Sequence, residues 1–182
     1  MHGSQTPSDW VVRWSLVLPP QARVLDLACG WGRHTRYLWR LGHQVTALDR
    51  DAQALASVKD MSETICADIE NGPWPLESRQ FDAVVVTHYL WRALWPRILD
   101  SVAPGGTLIY ETFAAGNETV GRPSRPDFLL QPGELLERTK GWRVVAFEDG
   151  FLPQPERFIQ RIVAIKPSES PSADPAPARY FL

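Results

Sequence analysis

Cysteine is scarce: Cys29 and Cys66 are the only two in 182 residues. Both lie at the ends of apolar runs, which suits a reducing cytoplasm. No apolar stretch approaches the roughly 18 residues needed to cross a bilayer. The opening MHGSQTPSDW has no charged leader followed by an apolar run. We therefore expect a cytoplasmic chain with no membrane partner. An excess of charge is missing too, since 19 Lys+Arg against 21 Asp+Glu leave a formal net charge of -2. No overall basic field exists to hold a polyanion, so nucleic acid is not an expected partner. What is present is core material, with 44% hydrophobic and 22% charged residues at a length that fits one domain. Tryptophan is in excess, with eight against seven phenylalanines.

From residue 23 to 166, short apolar runs alternate with helical patterns, the signature of βαβ units and a mostly parallel sheet. Expected strands are Arg23–Ala28, Val45–Leu48, Thr64–Ala67, Phe81–Val86, Thr107–Phe113, Trp142–Glu148 and Arg157–Ile165. Phe81–Val86 is almost wholly apolar, as a central strand buried on both faces should be. Helices are expected over Arg33–Leu41, Ala52–Val58, Trp91–Val102 and Gly133–Thr139, with a turn at Pro104-Gly105-Gly106. In front lies a helix over Ser8–Leu18, with Ser8 as N-cap and Trp10, Trp14 and Val17 on one stripe. The Pro- and Ser-rich residues 167–182 read as a disordered tail.

The densest motif is Val24-Leu-Asp26-Leu-Ala28-Cys29-Gly30-Trp-Gly32. A strand that runs through a glycine turn into a helix makes a ligand site, because free N–H groups and the helix's positive end face the crevice. Dinucleotide dehydrogenases need a third glycine; here Thr35 is the nearest small residue. Asp26 would repel a pyrophosphate but attract an ammonium group, which argues against NAD. Asp49 ends the second strand, where a carboxylate can accept both hydroxyls of a ribose; a plain helix N-cap is the alternative reading. Asp68 ends the third, within reach of an adenine amino group. Three acids at the ends of three consecutive strands mark the edge where this fold class binds its ligands.

With these residues in place, the chain resembles the class I S-adenosylmethionine-dependent methyltransferases over about residues 22–113. VLDLACGWG, VTALDRD, CADIENGPWPL, FDAVVVTHYL and Val102-Ala-Pro-Gly-Gly106 carry the resemblance in order. LDLACGWGRHTRYL and ETFAAGNETVGRPSRPDFLL look like the small bacterial tellurite-resistance-type methyltransferases. The resemblance implies a Rossmann-like, doubly wound α/β fold: seven strands, mostly parallel with the last reversed, and helices on both faces. It implies S-adenosyl-L-methionine as cofactor. Asp26, Ala28, Cys29, Gly30 and Gly32 would line its methionine part, Asp49 and Arg50 its ribose, and Ala67, Asp68 and Ile69 its adenine. Residues 23–166 would form the methyltransferase domain, and the helix within residues 1–22 would cover the cofactor.

Methyl transfer is a direct displacement that depends on alignment in a water-excluded site. Where the acceptor must lose a proton, His88 and Tyr89, directly after the fourth strand, are the acid–base candidates; a structural histidine is the alternative. Arg33 and Arg36 at the start of the second helix either attract an anionic substrate or form a solvated face. The long polar stretch 114–131, with Arg122 and Arg125, reads as a substrate loop. Trp10, Trp14, Trp31 and Trp91 are expected to ring one pocket. The small size of the domain favours a small-molecule acceptor. A non-catalytic S-adenosylmethionine-binding sensor or regulatory subunit remains the alternative.

Overall fold

The computed structural model describes residues 6–168. The tail expected over 167–182 lies, apart from its first two residues, outside the described residues. The elements are α1 (Asp9–Trp14), β1 (Arg23–Leu27), α2 (Arg33–Arg40), β2 (Gln44–Asp49), α3 (Ala52–Ala56), β3 (Glu63–Cys66), β4 (Phe81–Thr87), α4 (Trp95–Asp100), β5 (Val102–Phe113), α5 (Glu134–Arg138), β6 (Arg143–Pro153) and β7 (Glu156–Ile165). Seven strands form one sheet in the order β3-β2-β1-β4-β5-β7-β6. The five on the β3 side are parallel, and β7 runs antiparallel to both β5 and β6. The reversed last strand is as expected, and it is threaded between β5 and β6. No helix among the described residues is long and apolar enough to cross a membrane.

The alternation of β4 shows how the sheet is covered twice. Val84 and Val86 join a core cluster with Trp95, Ile98, Leu108 and Leu135 under α4 and α5. Ala83 and Val85 point the other way, into a cluster with Trp10, Trp14, Leu38 and Val163 under α1 and α2. Each buried valine or leucine contributes about 1.5–3 kcal/mol, so a strand buried on both faces is doubly anchored.

The structure corrects the expectation for the first helix. Ser8 does cap it, its Oγ accepting the Trp10 N–H at 3.2 Å. However, α1 lies flat on the sheet. Trp10 and Trp14 are each only 2% exposed and pack edge to face at 5.7 Å between ring centroids. The amphipathic stripe was read correctly as a buried face; its partner is β1, β4 and β5 rather than a ligand. Trp91 packs against the opposite core cluster, so of the four tryptophans expected at one pocket, only Trp31 lines it. The Pro104-Gly105-Gly106 segment is a register irregularity inside β5, since Phe81 pairs with Val102 and Ala83 already with Thr107. The helix expected over Trp91–Val102 shortens to a 3-10 turn, Arg92–Leu94, and α4.

Candidate functional site at the carboxyl edge of the sheet

β3, β2, β1 and β4 end on one edge, and strand order reverses between β1 and β4, which opens a crevice there. A cavity of about 350 Å³ occupies it. Its wall gathers Ala28 and Gly30 from the turn after β1, Asp49 and Arg50 after β2, Ala67, Asp68 and Ile69 after β3, and Tyr89 after β4. Eight of the expected positions thus meet in one pocket, joined by Trp31, Asp51, Ala54 and Glu70. Asp26, Cys29 and Gly32 stand behind this wall.

The glycine turn has a built shape. Ala28, Gly30 and Gly32 all adopt left-handed backbone, with φ of 53°, 53° and 70°. A Cβ at Gly30 would meet nothing within 4 Å, whereas one at Gly32 would come within 2.4 Å of Val58 Cγ1. Gly30 therefore keeps the pocket open, while Gly32 lets the turn close on the segment after α3. Cys29 turns away into a small cluster with Ala47, Leu55 and Val58, and burial pushes its thiol up. Asp49 ties the turn to β2: its Oδ2 accepts the Gly30 N–H at 2.8 Å and its Oδ1 the Asp51 N–H at 2.9 Å.

Asp26 is corrected from pocket wall to buried support. It is 1% exposed, and the Thr35 hydroxyl donates to its Oδ2 at 2.6 Å. Burial raises its pKa to about 6, and Thr35 and nearby Arg33 oppose that rise. Thr35, where a dinucleotide motif would have glycine, is thus the partner of this carboxyl group. Asp68 folds its own turn, accepting from the Glu70 and Asn71 N–H groups and the Asn71 side chain. These bonds, led by the Asn71 side chain, hold its carboxyl below the usual range.

Tyr89 places a buried hydroxyl against the cavity with no hydrogen-bond partner among the described residues. Burial, followed by the Glu70 carboxylate, pushes the phenol up, so it stays protonated. His88 also has left-handed backbone, φ 53°, a strained conformation for this residue type. Its ring tilts over Phe113 at 5.0 Å, and its Nδ1 lies 3.5 Å from an Arg33 nitrogen. Although part of the ring reaches solvent, crowding around it and then the Arg33 charge lower its pKa, leaving it neutral at pH 7.

Arg36 is corrected outright: its guanidinium donates to the Trp31 carbonyl and to the carbonyl and hydroxyl of Ser57, fastening α2 to the end of α3. Arg125 pairs with Asp127 on the surface, and Arg122 is exposed; neither lines the cavity. Their loop is pinned by Arg92, which donates to the Asp127 and Leu129 carbonyls and to Glu134. Sequence reasoning missed buried His34. Its Nε2 accepts the Ser8 N–H at 3.1 Å, and its Nδ1 lies 3.3 Å from the Thr87 hydroxyl. Burial depresses its pKa to about 3, and Arg33 and His88 add to this. Glu111 faces the same side, accepting from Ser8 Oγ and Arg161. Arg157 and Arg161, four apart on one strand, share a face; that spacing was the available signal.

The comparisons with known proteins agree with this geometry. Residues 24–106 match the methyltransferase domain family. Over those residues the chain is similar to methyltransferases that take S-adenosylmethionine as cofactor. It is 26% identical over 76% of its length to the probable S-adenosyl-L-methionine-dependent methyltransferase TehB of Haemophilus influenzae, covering 52% of that protein. A malonyl-[acyl-carrier protein] O-methyltransferase of Enterobacter lignolyticus is 39% identical over 77% of this chain and 50% of that protein. The crystal structure of TehB from Haemophilus influenzae has the same fold, with TM-score 0.70 and 23% identity over 87% of this chain and 61% of that one. The chain spans about half the length of the curated relatives it matches.

The residues present fit that cofactor. The space beside Gly30 that a side chain would fill, the unpartnered Tyr89 hydroxyl and the Asp49 carboxylate on one wall are complementary to a molecule with hydroxyls and amino groups.

Proposed function

We propose that this chain transfers the methyl group of S-adenosylmethionine to a small-molecule acceptor. Residues 23–166 act as the methyltransferase domain. The observation that carries the reading is that the cavity kept open at Gly30 is lined by Tyr89, while its chain neighbour His88 projects to the opposite side of β4, against Phe113. A pure binding module has no need of a strained, neutral imidazole at that point.

In this reading Asp49 and Arg50 hold the ribose, and Ala67, Asp68 and Ile69 hold the adenine. Ala28 and Gly30 line the methionine part, with Asp26 supporting the turn from behind. The bound cofactor supplies an electrophilic methyl on a sulfonium. The protein's part is to align the acceptor and exclude water. Tyr89, as a protonated phenol, orients by donating a hydrogen bond. His88 takes the proton that the acceptor releases as its new bond to carbon forms and the carbon–sulfur bond breaks with its electrons on sulfur. The segment Thr6–Ser8, rather than α1, borders the acceptor side through its bonds to Arg33, His34 and Glu111.

Calorimetric titration with S-adenosylmethionine and NAD, followed by an acceptor screen for released S-adenosylhomocysteine, tests the proposal. Binding of S-adenosylmethionine with turnover, and loss of turnover but not affinity in His88→Ala, is the expected result. Tight binding without turnover across the screen would favour the sensor, and preference for NAD would reject both.

A further inference from the structure

Two guanidinium groups without a carboxylate partner converge beside His88. Arg33, the first residue of α2, makes only long contacts, 3.5 Å to the Thr6 carbonyl and 3.5 Å to His88 Nδ1. Arg157, near the start of β7, donates one bond to the Pro155 carbonyl at 3.3 Å, and its buried Nε has no partner. Neither forms an ion pair among the described residues.

The sheet register brings Arg157 to this place. Glu111 faces Arg161 and Phe113 faces Ile159 across the β5–β7 pair. Side chains two residues apart on a strand share a face, so Arg157 projects on the side of Glu111, of Phe113 and of the His88 ring packed on Phe113. Because β7 is reversed, its beginning reaches the same edge as the end of β4. The nearby acid is already occupied: Glu111 accepts from Ser8 and from Arg161. Arg33 has its pKa lowered, by burial first and by Arg157 in part; His88 is lowered by burial, then Arg33, with Arg157 contributing. Each group thus feels the others; the Glu111 and Asp26 carboxylates offset the Arg33 charge in part, but neither forms an ion pair with Arg33 or Arg157. Half-buried cations without an ion-paired partner gain from a ligand that completes them. A guanidinium presents a planar fork of donors matched to carboxylate or phosphate oxygens.

We infer that Arg33 and Arg157 grip an anionic group, a carboxylate or a phosphate, on the acceptor and so hold the atom to be methylated beside His88. This rests on the methyltransferase reading above, which supplies the acceptor. The anion is a handle: two guanidiniums on one oxyanion draw off its electron density, which suits holding rather than nucleophilic attack. The acceptor class is therefore a small acid with a second, nucleophilic group.

The test uses the full chain saturated with S-adenosylhomocysteine, titrated calorimetrically with phenyl phosphate, benzoate and neutral benzamide. Phenyl phosphate and benzoate should bind saturably and benzamide should not. Binding should weaken about tenfold in Arg33→Gln and in Arg157→Gln. It should recover in part in Arg33→Lys and Arg157→Lys, be unchanged in Arg125→Gln, and fall with added salt. A preference between the two anions tells carboxylate from phosphate. Equal binding of benzamide, retention of binding in both glutamine variants, or no saturable binding overturns the inference and leaves methyl transfer standing. S-adenosylmethionine is titrated into the wild-type chain separately. Failure there overturns methyl transfer itself, and the acceptor assignment with it. If Arg157→Gln fails to fold, the Arg33 pair of variants decides.

Discussion

The Asp49 carboxylate holds the Gly30 N–H at 2.8 Å, so the residue that faces the pocket from β2 also shapes the turn that faces it from β1. Its other oxygen caps Asp51, making one side chain the joint of two loops. Asp49→Ala should weaken S-adenosylmethionine binding by about 1–3 kcal/mol and lower the thermal midpoint at the same time. Calorimetry and thermal melts measure the two effects. A lowered midpoint with unchanged affinity would leave Asp49 a brace and remove it from the ribose site.

The two glycines of the motif should respond differently. Gly32→Ala introduces a Cβ 2.4 Å from Val58 Cγ1 on left-handed backbone and is expected to cost about 1–3 kcal/mol of stability in urea denaturation. Val58→Ala in the same chain should return part of it. Gly30→Ala meets open space, so stability should fall by only about 1 kcal/mol. Its main effect should be on cofactor affinity.

Asp26 predicts an unusual pH dependence. Its folded pKa is raised from 3.8 to about 6, so the folded state binds the proton more readily than the unfolded chain. In the unliganded protein this site's contribution is therefore least unfavourable below about pH 4. Stability is lost as pH rises from 4 to 6, by an amount on the order of 3 kcal/mol once the group is ionised. Asp26→Asn keeps an acceptor for Thr35 and carries no charge. The difference in unfolding free energy between variant and wild type should grow in favour of the variant across that window. A flat difference would refute the raised pKa.

Arg92 predicts the behaviour of the 114–131 stretch. It joins Glu134, only 5% exposed, to the Asp127 and Leu129 carbonyls. Arg92→Ala should cost about 2–3 kcal/mol, since it leaves a buried carboxylate with only the Arg138 guanidinium and the Gln131 N–H as partners. It should also speed chymotryptic cleavage after Phe128. Unchanged cleavage would mean that the loop is held by other bonds.

What was legible in the sequence was whatever depends on short range. The apolar run of β4 is readable because a strand covered on both faces has no polar side to show. Asp49 and Asp68 are readable because strand ends in this architecture are where ligands lie. The stripe of Trp10 and Trp14 announced a buried face but not the surface it meets, which is set by where the chain crosses the sheet. The arginines of α2 were equally ambiguous: Arg33 points toward His88 and Arg36 toward Ser57, a difference of helix rotation that composition does not carry. Gly32 and Cys29 were recognised by motif, yet their neighbour Val58 is remote in the sequence. Arg157 was out of reach because its position depends on the register of β5 with β7, a pairing between distant segments.

That register also divides the molecule by order of synthesis. Everything that lines the cavity lies between Ala28 and Tyr89, so its lining is synthesised before β5, β6 and β7. The side proposed to face the acceptor draws on Ser8, made earlier, and waits for Arg157 on a strand threaded between two others. On the proposed assignment, donor and acceptor recognition fall to segments made at different times, and substitutions in the late hairpin are expected to alter what is methylated without disturbing the cavity lining.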